Sequence, residues 1–377
     1  MIGWDGVKEG RNSPQHQLDA LMLFGFWYRA MPSTGLTPKG LDKTLLLETP
    51  LVLGRDVGGR PFALYDACPH RGMPLSYGRW DGRELECSYH GWRFDAQSGQ
   101  CQHIPSLTSD QPLKIDRIYA GSYACQDQDG YVWVFIPDPP PAGAGFSKAN
   151  EPPIPVPRVP TFGENFKMAY LTADLPASVD HGIIGLMDPA HGPFVHRAWW
   201  WRTRQSIHEK QKDFEPIPMG FRMSAHTPSS NSAPYKLLRL YAHTDSITTT
   251  IDFVLPNQRY ETIRAGRYWF ASLTTVTPVT RERCRIDVVA KYNVFPWLPF
   301  GSGLLKLFFA KFLEQDRRTM EKQSEGLQHK PHLMLIEDAD RPAKWYFQIK
   351  EAYLEAKRSG TAMQHPMASP TRLKWRS

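Results

Sequence analysis

The chain has 377 residues, 41% of them hydrophobic and 12% aromatic, which is too long for one small domain and sufficient for two cores. Its 45 Lys and Arg against 38 Asp and Glu give a net +7 without any dense basic tract, so a nucleic-acid-binding surface is not expected. No apolar run is long enough to span a membrane, Met1 to Gln17 lacks an apolar signal core, and five cysteines make no disulfide framework; a cytoplasmic protein is expected.

The N-terminal segment, residues 1–23, is polar. From 24 to 137, short β-rich runs alternate with turn signals. Residues 45–47, 51–53, 62–65 and 131–136 read as strands, with Gly58-Gly59 and Asp129-Gly130 as turns, which predicts a small antiparallel β domain over 24–137. Positions 137–160 hold nine Pro in 24 residues, interrupted by Ala142-Gly143-Ala144-Gly145, a composition that forms no packed element; 138–160 is predicted to be a linker. A second domain over 161–360 opens with a helical stretch at 177–196. Residues 237–241, 247–254, 268–276 and 285–294 then read as strands, and 304–323 and 342–357 as amphipathic helices. Strands flanked by helices, without regular alternation, predict an α+β domain built on an antiparallel sheet. The last residues, 361–377, are expected to form a poorly ordered tail.

Two segments carry the chemistry of the first domain. Cys68-Pro69-His70-Arg71-Gly72 and Cys87-Ser88-Tyr89-His90-Gly91-Trp92 each pair one Cys with one His, and sixteen residues separate His70 from Cys87. Two thiolates and two imidazoles suit a two-iron cluster with a sulfur-ligated and a nitrogen-ligated half, which raises its reduction potential. The same four residues are a zinc ligand set, although zinc fingers keep their two Cys together and their two His together. Cys101-Gln102-His103 and the pair His329 and His332 have no matching partner loop and read as structural or surface residues, as do the isolated Cys125 and Cys284.

In the second domain, Asp188 precedes His191 by three residues and His196 follows by five. On one straight helix the two His would point about 140° apart, but Gly192-Pro193 between them bends the chain and can let them converge. Asp188 falls on the His191 face, as a carboxylate that orients the imidazole. Leu305, Phe308, Phe309, Phe312, Asp316 and Met320 recur at helical spacing, while Glu314, Arg317, Arg318 and Glu321 point elsewhere. A carboxylate in that stripe suits a metal with two imidazoles and open positions; the helix alone leaves open an Asp paired with an Arg or capping a helix.

The Cys/His loops closely resemble the Rieske [2Fe–2S] motif, with Trp92 at the position of its usual aromatic residue. D-x2-H-x4-H followed by the late Glu314-Gln315-Asp316 is similar to the catalytic domain of Rieske non-haem iron oxygenases, in particular the single-subunit-type homotrimeric group; the likeness covers about residues 24–330. The resemblance implies that Cys68 and Cys87 bind one cluster iron and that His70 and His90 bind the other through Nδ1. It implies that His191, His196 and Asp316 ligate a mononuclear Fe(II), and that Asp188 links a Rieske His to an iron His across a subunit boundary. Gly185 departs from relatives that carry a polar Asn there, and His181 is an additional His expected to act at the surface or behind the ligands.

The implied activity is that of a terminal oxygenase, which relays electrons through His70 or His90, Asp188 and His191 to activate dioxygen. It would hydroxylate or demethylate an aromatic or alicyclic apolar small molecule, as in aromatic hydrocarbon catabolism. Phe194, Trp199, Trp200, Trp201, Phe253, Tyr268, Trp269 and Phe270 either line its pocket or, as expected for most, fill the core. The G-x-G segments at 143–148 and 301–306 lack a third Gly, so a separate NAD(P)H-dependent reductase, with or without a ferredoxin, is expected. The mildly basic balance suits an acidic electron donor as readily as it serves solubility. The competing reading is a Rieske-type electron-transfer protein without oxygenase activity.

Overall fold

The computed structural model describes residues 22–139, 145–196, 204–227, 233–294, 301–329 and 331–377. Expectations for 1–21, for Ala142-Gly143-Ala144 and for Trp199, Trp200 and Trp201 lie outside the described residues, as do the side chains of Leu305, Phe308 and Phe309. The chain divides into two compact units, Leu23–Arg158 and one built on Val159–Ser377.

The first unit is antiparallel β throughout its regular elements. Tyr131–Ile136 is buried at all six positions and forms the centre of a three-stranded sheet, between Phe26–Pro32 and Cys125–Gln128. A strand without a polar face needs cover on both sides, which is why its sequence shows no alternation. A second sheet orders Asp42–Leu46, Thr49–Arg55, Pro61–Tyr65 and Ser122–Tyr123. The third orders Arg79–Trp80, Glu84–Glu86, Arg93–Asp95 and Cys101–His103, and Glu84–Glu86 leads straight into Cys87. Beneath it lie Leu75, Leu85, Phe94, Ala96 and Ile104, together with Cys68 and Cys87 themselves. The Pro-rich stretch after residue 144 has no regular element and is pinned to this unit. Trp27 Nε1 donates to the Ile154 carbonyl at 2.8 Å, and the Ala149 N–H donates to Ser122 Oγ at 2.9 Å.

The second unit is an eight-stranded antiparallel sheet flanked by helices, which is the α+β architecture read from the pattern. Its strands run in the order Lys167–Leu175, Cys284–Tyr292, Tyr268–Pro278, Gln258–Ala265, Ile247–Val254, Gly220–His226, Glu209–Ile217 and Thr371–Arg376. The helices are α1 (Val179–Met187), α2 (Gly192–Val195), α3 (Ala233–Ala242), α4 (Gly301–Leu327) and α5 (Arg341–Ser359). Phe214, Phe221 and Phe253 from the sheet meet Trp345 and Tyr346 of α5, with ring centroids 5.5–5.6 Å apart where they touch. Phe253 and Trp269 are both buried. No helix among the described residues is long and apolar enough to cross a membrane.

Three expectations are corrected. Residues 237–241 are not a strand but part of α3, where Lys, Leu and Arg are good helix formers and Pro234 sits in the first turn. The tail is not disordered: Thr371–Arg376 pairs with Glu209–Ile217 as an edge strand. Its alternation places Leu373 and Trp375 inward, both buried, between exposed Arg372, Lys374 and Arg376. The stretch 177–196 is not one helix, because α1 ends at Met187 and α2 is a separate single turn.

Candidate metal centres

The two Cys/His loops fold alike. In each, the Cys carbonyl accepts from the Gly N–H, Gly72 to Cys68 at 2.8 Å and Gly91 to Cys87 at 3.0 Å. In each, the Cys N–H donates back across the loop, to the Met73 carbonyl and to the Trp92 carbonyl, both at 2.8 Å. The closure needs a left-handed residue, and both glycines sit at φ +70°. Cys68 and Cys87 point into the core, whereas His70 and His90 stand at its rim with ring centroids 4.5 Å apart. Trp92 stacks on His70 at 4.7 Å and 4°.

This pocket fits a cluster by its own chemistry. His70 Nδ1 is buried with no hydrogen-bond partner, a cost of about 1–3 kcal/mol that a metal bond to that lone pair removes. Burial, reinforced by the neighbouring Cys87 and opposed by the His70 and Arg71 N–H groups, pushes the Cys68 thiol up to about 11. A thiol so placed ionises readily only beside a cation. Lost solvation, then the charges of His70 and Arg71, lowers His90, which favours the neutral imidazole that a metal requires.

The second set forms around the break between α1 and α2. Asp188 caps the end of α1, and its Oδ1 accepts from the Ala190 N–H at 2.7 Å. Its main-chain carbonyl accepts from His191 Nδ1 at 2.8 Å, closer than its carboxylate, whose Oδ2 is 3.6 Å from that nitrogen. The ring is thus held by the carbonyl, and the carboxylate is left part-exposed. Pro193 sits in the first turn of α2, where its missing N–H costs nothing, and His191 and His196 flank that turn. Their Nε2 atoms come within 3.1 Å of each other.

From α4, Asp316 Oδ1 reaches to 3.1 Å of His196 Nε2 and 4.0 Å of His191 Nε2. Points at these separations share a centre about 2.0 Å from each, an ordinary metal–nitrogen or metal–oxygen distance. The three residues are the one such donor group among the described residues. Burial lowers the His191 pKa, but the adjacent Asp188 and Asp316 outweigh it and raise the group overall. A divalent ion in place of that proton satisfies the same carboxylate.

α4 presents two separate faces here. Glu314 pairs with Arg317 at 2.8 Å and Arg318 at 2.7 Å, and Arg317 reaches Glu321 at 3.2 Å, away from the histidines. Phe312 and Met320 share the Asp316 face. A Cβ on Gly185 would lie 2.3 Å from Met320 Cε, the flexible end of that side chain on α4. Gly185→Ala is expected to change stability by less than about 1 kcal/mol, because the Met320 methyl can swing aside and Ala favours the helix interior. A clearly lowered thermal midpoint would show that Met320 does not yield.

The other singled-out residues do not join either set. Cys101 is in the core beneath the loops and His103 is exposed; His329 and His332 are both exposed. His181 Nδ1 lies 2.9 Å from Ser178 Oγ at the start of α1. A pocket of about 260 Å³ on the large sheet is lined by Pro160, Thr250, Asp252, Val254, Tyr260 and Thr262, and so by none of the donor residues. Two contacts could not be read from the sequence. Asp180 of α1 is a fully buried carboxylate bound by Lys350 and Tyr346 of α5, and Gln315 contacts His196.

Comparison with known proteins matches residues 26–120 to the Rieske [2Fe–2S] domain and residues 185–362 to the vanillate O-demethylase oxygenase C-terminal domain. Chlorophyllide a oxygenase of Chlamydomonas reinhardtii is 31% identical over 303 residues, 78% of this chain and 42% of that protein. The oxygenase component of dicamba O-demethylase from Stenotrophomonas maltophilia is 35% identical over 176 residues, 46% of this chain and 47% of that one. The chain thus spans about half or less of the length of these curated relatives. Crystalline dicamba monooxygenase bound to dicamba superposes with a TM-score of 0.68 at 20% identity, covering 89% of this chain and 98% of the other. The QL mutant of Pseudomonas putida CBB5 NdmA with caffeine gives 0.67 at 17%, covering 92% and 94%.

Proposed function

We propose, from the premise that this chain belongs to the Rieske non-haem iron oxygenases by both of its domains, that it is a terminal oxygenase. Its reaction is the hydroxylation or demethylation of an aromatic or alicyclic apolar small molecule. The observation that carries the reading is the meeting of His191, His196 and Asp316 within 4.8 Å in a chain that also has a Rieske domain. In this reading Cys68, His70, Cys87 and His90 hold the [2Fe–2S] cluster, and His191, His196 and Asp316 hold a mononuclear Fe(II). When bound, the cluster supplies single electrons, and the iron, left with open positions by three protein ligands, supplies dioxygen activation.

The chain's own residues do the rest. The Asp188 carbonyl keeps the His191 proton on Nδ1, which turns the Nε2 lone pair toward Asp316. Phe312 covers one face of His196 at 4.5 Å, and Phe194 in the turn between the two histidines is half-exposed; together they offer apolar surface to a flat substrate. The Asp188 carboxylate bridges to a Rieske histidine of a neighbouring copy within a homotrimer. Electrons come from a separate NAD(P)H-dependent reductase, with or without a ferredoxin, for which a net +7 surface suits an acidic donor. Five cysteines without a disulfide agree with a cytoplasmic setting.

Incubation with a generic reductase, NADH and a panel of aromatic, methoxylated and steroidal compounds is expected to show substrate-dependent oxygen uptake with matching product. Metal analysis should give about three irons and two acid-labile sulfides per chain. Two irons without uptake would leave an electron carrier, and zinc without iron would end both readings. Asp188→Asn keeps the main-chain contact to His191, so both metals should stay bound while turnover falls about 10–100-fold. Near-normal turnover would remove the bridging role.

A further inference from the structure

His196 is held from three directions by one turn of α4. Asp316 lies 3.1 Å from its Nε2, Phe312 covers its ring face at 4.5 Å, and Gln315 Oε1 lies 3.1 Å from its Nδ1. Positions 312, 315 and 316 share a helical face at i, i+3 and i+4, so one element presents all three groups at once. An imidazole carries one proton when neutral, and the hydrogen bond made by one nitrogen decides which lone pair the other offers. With Gln315 oxygen accepting from Nδ1–H, the lone pair of His196 sits on Nε2, the atom that faces His191 and Asp316. The alternative tautomer would put a proton between Nε2 and the ion and leave the amide oxygen without that donor. His191 is set in the same sense by the Asp188 carbonyl at 2.8 Å, so the two rings are aimed from opposite elements.

We propose that Gln315 is a positioning residue of the mononuclear centre: as a hydrogen-bond acceptor it fixes the tautomer and ring orientation of His196 and thereby the affinity of the site for its metal. The inference rests on the iron reading above. Loss of such a partner behind a ligating histidine lowers metal affinity about 10–100-fold.

The test uses the full chain with its cluster loaded, stripped of the mononuclear ion by a chelator and titrated with Co(II), the bound fraction being read from the visible bands of the ion. Gln315→Leu is expected to bind Co(II) about 10–100-fold more weakly than the parent, with unchanged cluster absorbance as the folding control. Gln315→Glu keeps an acceptor at the same reach and is expected to restore affinity to the parent level or beyond. Equal affinity of Gln315→Leu and the parent, or equal weakening by both substitutions, overturns the role of Gln315 alone. A parent protein that takes up no Co(II) sinks the iron reading and this inference with it.

Discussion

Lys350→Met is expected to destabilise the Val159–Ser377 unit by about 3–5 kcal/mol, the usual cost of stranding one member of a buried ion pair. Lys350 Nζ bonds both carboxylate oxygens of Asp180 at 2.7 Å, and both side chains are within 1% of complete burial. Tyr346, one turn earlier on α5, donates to the same carboxylate. With the ammonium gone, the phenol and the N-terminal end of α1 alone face a charge held out of water. The network ties α1, which leads into Asp188 and His191, to α5, so lower occupancy of the mononuclear site should accompany the lost stability. Adding Asp180→Asn to Lys350→Met removes the orphaned charge and should recover part of the loss. Thermal or denaturant midpoints of the parent and the two variants decide the matter. A single variant within about 1 kcal/mol of the parent would show that this pair contributes as an exposed pair does.

His191→Ala is expected to abolish oxygen-dependent product formation while leaving the visible spectrum of the cluster intact. In the proposed site His191 is one of three donors, and the remaining His196 and Asp316 would make too few bonds to hold a labile divalent ion against water. The proposed cluster ligands belong to the other compact unit and rest on their own core of Leu75, Leu85, Phe94 and Ile104. Iron should therefore fall from about three to about two per chain with sulfide unchanged. Unchanged product formation would sink the mononuclear assignment of this residue, and loss of the cluster spectrum would show that the two units depend on each other for folding.

The elements legible in advance were those whose pattern is local. The strand Tyr131–Ile136 announced itself as an unbroken apolar run after the Asp129-Gly130 turn, and α5 as an amphipathic stretch. α3 was misread because its Leu-rich segment is short, and short apolar runs fit strand and helix alike. The tail strand Thr371–Arg376 carried a readable period of two, but terminal position argued against it, and its pairing with Glu209–Ile217 is a long-range event.

The same division runs through the candidate sites. Cys68, His70, Gly72, Cys87, His90 and Gly91 stand at spacings that short loops impose, so their residue types and separations already specify two left-handed turns and the donors they carry. Those constraints are local in the chain, and sequence by itself determined them. The meeting of His196 with Gln315 spans 119 positions, and that of Asp180 with Lys350 spans 170. No local pattern encodes which nitrogen Gln315 faces or that a lysine near the C-terminus neutralises a carboxylate on α1. Only the tertiary structure decided these, because a buried polar group finds its partner through the packing of whole elements rather than through its neighbours in sequence.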